Sequence, residues 1–159
     1  MATNVTEQNI SEPIIRTKMV TAENLATQKT MADCGEYGTL VFDEPVAHGG
    51  TGEGPSPLQG VLSALCACES VTFNRTAAEM GFEYNKLSFS AEYKIDIRGR
   101  LGMRGVTQHF KIVRVEIQVE TQEAVERLEE VVKETELRCP VYNLIQNAGV
   151  DITCQWIRV

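Results

Sequence analysis

Positive charge is scarce in this sequence: 15 Lys and Arg stand against 22 Asp and Glu, for a formal net charge of -7. Phosphate binding relies on clustered Lys and Arg that release counterions, so nucleic acid is disfavoured as a partner. Long apolar runs are missing too. No stretch reaches the length of a membrane span, and the opening MATNVTEQNISEP has neither a basic n-region nor an apolar h-region. The expectation is a soluble, cytoplasmic protein with no membrane partner. Zinc-finger spacing is absent: Cys66 and Cys68 are two residues apart, about 200° round a helix, and cannot grip one ion from it. The glycine-rich stretch is followed by no Gly-Lys-Ser/Thr, and its spacing fits neither the P-loop nor the dinucleotide fingerprint. Neither a metal nor a cofactor is expected.

Cysteine is present, in an odd number. Cys34, Cys66, Cys68, Cys139 and Cys154, in a chain without a secretion signal, argue for reduced thiols over a disulfide framework. A buried free cysteine is often only a small core hydrophobe. Position must therefore separate reactive thiols from structural ones.

The length of 159 residues suits one compact domain. Residues 1–12 are polar and unpatterned and read as a disordered tail, which leaves 13–159 as a single domain. Segments Ile14–Val20, Asn24–Met31 and Glu36–Phe42 alternate as short antiparallel strands, with turn material at Asp33, Cys34 and Gly35. A glycine-rich loop runs from Asp43 to Pro57. Ser56-Pro57 then starts a helix that should reach Met80 and stop at Gly81. Its apolar stripe is read through Leu58, Val61, Leu62, Leu65, Cys68 and Thr72.

Leu87–Ile97 and Phe110–Val119 read as strands of one sheet, joined by the basic connection Arg98–Gly105, a mobile hairpin tip. His109 reads as an outward-facing strand residue. Ala124, Leu128, Val131, Val132 and Thr135 define a second amphipathic helix. Cys139-Pro140 opens another, running to Asn147 with Gly149 as its stop, and Val150–Val159 closes the chain as a strand. Strand-rich halves around one very apolar helix indicate an α+β fold.

Cys139 at a helix mouth should feel the helix dipole and free amides, which lower a thiol's pKa, so it reads as the more acidic of the two thiols. Cys68 lies beyond the first turn of its helix and needs a neighbour supplied by tertiary structure. Two such cysteines could act as a peroxidatic and resolving pair through a sulfenic acid. The sequence leaves open whether they meet.

These motifs resemble the OsmC/Ohr superfamily, in its OsmC-like branch. Gly54-Pro-Ser-Pro-Leu-Gln-Gly-Val-Leu-Ser-Ala-Leu-Cys-Ala-Cys68 is similar to the family's first-cysteine helix, with Cys68 eleven residues after Pro57, and Cys139-Pro140-Val141 resembles its second-cysteine motif. The Asp43-Glu-Pro … Gly-Gly and Asp96-Ile-Arg-Gly-Arg-Leu-Gly runs are similar as well. The resemblance implies an intertwined homodimer, with antiparallel sheets around long central helices. It also implies Cys68 as nucleophile toward an organic hydroperoxide, Cys139 as resolving thiol, and a dithiol reductant.

The family's glutamate and arginine are not at their expected places. Leu58 and Gln59 follow Pro57, and Val46, Ala47 and His48 occupy the stretch where the arginine is expected. His48 could act as a local cation or as a base, and Arg16 or Arg98 could substitute from elsewhere. Gln59, a second candidate, reads more readily as a helix-end hydrogen-bonding residue. Cys34, Cys66 and Cys154 read as structural. The alternative function is a non-catalytic dimer that binds a small apolar ligand.

Overall fold

The computed structural model describes residues 13–159, so the proposed tail at 1–12 lies outside the described residues. The chain divides after Pro55 into two compact units.

In the first unit, β1 (Thr21–Asn24), β2 (Thr30–Asp33) and β3 (Thr39–Phe42) form an antiparallel sheet in that order. Neither Ile14–Val20 nor Asn24–Met31 is a continuous strand. The Asn24 side chain explains the break: its Oδ1 accepts from the Ala26 amide at 2.9 Å, and its Nδ2 donates to the carbonyls of Thr27 and Lys29. A short amide that satisfies local backbone groups in this way competes with the strand ladder and makes a turn instead. Residues Gly35–Tyr37 form a short 3-10 turn, which delays β3 to Thr39.

The second unit carries the core. α1 (Pro57–Met80) begins and ends as the sequence predicts. Ser56 Oγ accepts from the Gln59 amide, Gln59 Oε1 accepts from the Ser56 amide at 2.9 Å, and Gly81 closes the helix in the left-handed conformation. β4 (Lys86–Lys94), β5 (Ile112–Glu120) and β6 (Asp151–Arg158) form the second sheet. β4 and β5 are antiparallel, whereas β6 runs parallel to β5. A parallel pairing needs a crossover, and α3 (Val125–Arg138) with α4 (Pro140–Asn147) supplies it. The hairpin connection expected between β4 and β5 is present, and it carries α2 (Ile97–Arg100), a single turn capped by Asp96. His109 precedes β5, exposed and outside any strand, with its Nδ1 2.8 Å from the Phe110 carbonyl oxygen.

The inner sheet face is built in rows. Ala91, Val115 and Cys154 are cross-strand neighbours, and so are Phe89, Ile117 and Trp156. Val113, Val115, Ile117 and Val119 are buried while Arg114, Glu116 and Gln118 between them are not, the period-2 alternation of a sheet with one covered face. Against this face pack Leu65 and Phe73 of α1, Leu128 and Val131 of α3, and Ile145 of α4. The Phe73 ring stacks on Trp156 at 4.9 Å and meets Tyr84 edge-on at 5.1 Å.

Candidate thiol site

The buried stripe of α1 runs through Leu62, Leu65, Glu69, Phe73, Thr76 and Ala77. The steps of three and four residues are those of one helical face. Cys68 lies at the edge of the stripe, half-buried, and the residue at its centre is an acid. Glu69 is fully buried, and no described residue gives either of its carboxylate oxygens a hydrogen bond of good geometry.

Pro140 lacks an amide hydrogen and restricts the residue before it, so α3 stops at Arg138 and α4 starts at Pro140, with Cys139 between them in extended conformation. The Asn143 side chain staples this junction, donating to the carbonyl oxygens of Glu136 and Cys139 at 2.8 Å each. Cys139 is fully buried, and its thiol interacts with the side chains of Cys68 and Glu69. The structure therefore brings together the two cysteines singled out by the sequence, as free thiols.

The electrostatics of Cys139 are the reverse of the expectation. Burial pushes its thiol well above the usual range; the Tyr142 amide at the start of α4 pulls the other way, and the Glu69 charge adds to the rise. The helix-mouth effect exists but is outweighed by loss of water. Glu69 is pushed up to about 7, chiefly by burial; the adjoining Cys139 thiol opposes that shift and the Glu136 charge reinforces it. None of the groups shifting Glu69 is a cation.

Around this pair lie Cys154, whose thiol burial raises and Glu69 raises further, and half-buried Glu136, which accepts from Trp156 Nε1 at 3.3 Å. Tyr142 is pushed up to about 12 by burial and by the Glu136 charge. Cys66 is also raised by burial. Four of the five cysteines thus belong to the second unit, and Cys34 alone to the first.

The remaining candidates are occupied in other ways. Gln59 makes the reciprocal cap of α1. Arg98 is committed to Asp96, Nε to Oδ1 at 2.9 Å and Nη2 to Oδ2 at 2.6 Å. His48 and Arg16 belong to the first unit and are exposed, with His48 Nδ1 3.9 Å from Glu44 Oε2. The glycine-rich loop also turns inward. Buried Asp43 accepts from the amides of Glu44, Thr51 and Glu53 and from the Thr51 hydroxyl, which holds its carboxyl well below the usual range. Amides that might have cradled an external anion are taken by the chain's own carboxylate. A Cβ on Gly50 would lie 1.8 Å from the Glu44 carbonyl oxygen, so only glycine fits there. No group of three or more His, Cys, Asp or Glu among the described residues could hold a metal ion, and no helix among them is long and apolar enough to cross a membrane.

Sequence reasoning missed Glu69, Glu136 and Trp156 as parts of the site. A signal for Glu69 was present: it stands four residues after Leu65 and four before Phe73, an acid on the apolar stripe itself.

A small α+β unit whose long capped helix presents a thiol to a second thiol at a helix junction defines the class. The OsmC-like protein family model matches residues 50–155, and the chain belongs to that family. The fold is shared with an OsmC-like protein from Mycoplasma pneumoniae at a TM-score of 0.76, with 18% identity over 91% of this chain and 99% of that one. An organic hydroperoxide resistance protein OsmC from Legionella pneumophila superposes at 0.66, again with 18% identity over 91% and 99% of the two chains. The organic hydroperoxide resistance protein OhrB of Bacillus subtilis matches at 0.59, with 21% identity over 89% and 98%. No curated protein matches the sequence.

Proposed function

We propose that the protein is a thiol peroxidase that reduces organic hydroperoxides, with Cys68 as nucleophile and Cys139 as resolving thiol. The observation that carries this reading is the interaction of the Cys139 thiol with Cys68 inside a water-poor site. Family membership and the hydroperoxide resistance proteins among its structural neighbours support the substrate class.

The Cys68 sulfur attacks one peroxide oxygen, the O–O bond breaks, and the alkoxide leaves as an alcohol with one proton, so Cys68 becomes a sulfenic acid. The Cys139 sulfur then displaces hydroxide from Cys68, which leaves as water, and a disulfide forms. A dithiol reductant restores both thiols by exchange and becomes a disulfide itself. Gln59 fixes the start of the helix that carries Cys68. The active form is a homodimer. Exposed Ile14, Ile15, Met19, Val20 and Leu25 favour it, since the first unit buries little apolar surface of its own.

Stopped-flow titration of the reduced protein with an organic hydroperoxide, followed by mass-spectrometric disulfide mapping, tests the reading. Stoichiometric consumption with a Cys68–Cys139 link is expected. Cys68→Ser should abolish turnover, and Cys139→Ser should halt at a trappable Cys68 sulfenic acid. Wild-type turnover by Cys68→Ser would sink the proposal. The second reading, a ligand-binding dimer without catalysis, draws on the raised pKa of the Cys139 thiol. It expects both thiols to stay reduced under excess peroxide.

A further inference from the structure

Glu69 has no role in the mechanism above, yet it is a fully buried acid without a good hydrogen-bond partner, directly beside the resolving thiol. Burying a carboxyl without partners is costly, and an apolar residue would pack this stripe at lower cost. Cys139 presents the complementary difficulty. To displace hydroxide from oxidised Cys68 it must lose a proton, but its thiolate would form away from water, against Glu69 and with no cation among the groups that shift it.

The groups facing Glu69 are Cys139 at the α3–α4 junction, Glu136 on α3, Tyr142 on α4, Cys154 on β6 and, on its own helix, Cys66. All of these are neutral or negative. Two adjacent negative charges are disfavoured in such surroundings, but one proton passing between the pair leaves a single charge throughout.

We propose that Glu69 is the base of the resolving step, taking the proton of the Cys139 thiol as that sulfur attacks Cys68. The inference rests on the peroxidase reading and deepens it. The carboxylate accepts the thiol proton, the S–S bond forms as the Cys68 S–O bond breaks, and Glu69 returns the proton to the departing hydroxide, which leaves as water. Glu69 ends as it began, and the two electrons that reduced the peroxide come from the two sulfurs.

The resolving step can be read without peroxide. Dithiobis(nitrobenzoate) caps Cys68 and releases one coloured thiolate; Cys139 then displaces the cap and releases a second, and mass spectrometry confirms the resulting pair. Cys139→Ser should stop after the first release. Glu69→Gln should leave the first phase near the wild-type rate and slow the second by about 100-fold or more, the usual range for a lost general base. The second phase of the wild type should rise with pH through about 7, an inflection absent from Glu69→Gln and kept, at an intermediate rate, by Glu69→Asp.

A Glu69→Gln second phase as fast as wild type overturns the proposal. So does a slower one that retains the inflection, or a wild-type protein that never makes the second release. Failure of the peroxidase reading alone looks different: hydroperoxide leaves Cys68 reduced while the aromatic disulfide still drives both phases.

Discussion

Glu69 makes the folded protein sensitive to pH in a definite direction. Its carboxyl is raised from an ordinary 4.5 to about 7 in the fold. Below about pH 4.5 it is protonated whether the chain is folded or unfolded, and it imposes no ionisation cost. Between these values the folded state holds a proton that the unfolded state releases, so stability falls as pH rises. Above about pH 7 the cost is constant, on the order of 3 kcal/mol. Glu136, raised in the same direction by burial, adds to the slope. Urea unfolding midpoints measured from pH 4.5 to 8 should decline in the wild type and much less in Glu69→Gln. Parallel declines would assign the effect to another group.

Single residues also mark where sequence reading stops. The placement of Cys68 on a long helix and of Cys139 at a helix start was legible because the signals, an apolar helix and a proline, are local. The direction of the Cys139 shift was not, because desolvation depends on α1 and the sheet, which come from distant parts of the chain.

Among the elements, α1 was the most legible: both ends are written in local chemistry, and both hold. Ser56→Ala removes the acceptor for the Gln59 amide and should cost about 1 kcal/mol, lowering the melting temperature by a few degrees. Circular dichroism melts decide this, and an unchanged midpoint would mean that tertiary packing alone fixes the helix start. Leu62 and Leu65 of the expected stripe are buried and Cys68 packs at its edge, while Glu69 takes the central place that the apolar pattern does not show. In the first unit the expected strand Asn24–Met31 covers instead the turn between β1 and β2, which the Asn24 side chain holds through hydrogen bonds to Ala26, Thr27 and Lys29.

At the scale of the whole molecule, the α+β class was legible from the distribution of strand and helix patterns, and family membership from two short motifs taken together. The parallel β5–β6 pairing was not, since strand direction is set by which edge the α3–α4 crossover returns to. The proposed homodimer belongs to this scale. Sedimentation equilibrium should return twice the chain mass of 17.6 kDa. Replacing Ile14, Ile15 and Met19 with Ser should shift it toward the monomer, and a wild-type monomer at micromolar concentration would remove the dimer from the proposal.

The crossover has a consequence for how the protein comes into being. Cys68 on α1, Cys139 at the α3–α4 junction and Cys154 on β6 are far apart in the chain, and all three pack against one core that is complete only once β6 lies beside β5. In the unfolded chain none of that cover exists, and each sulfur is an open thiol. The cover that sets Cys139 apart from an exposed thiol thus comes from long-range packing and is absent from the unfolded chain, where mispairing with another cysteine is open.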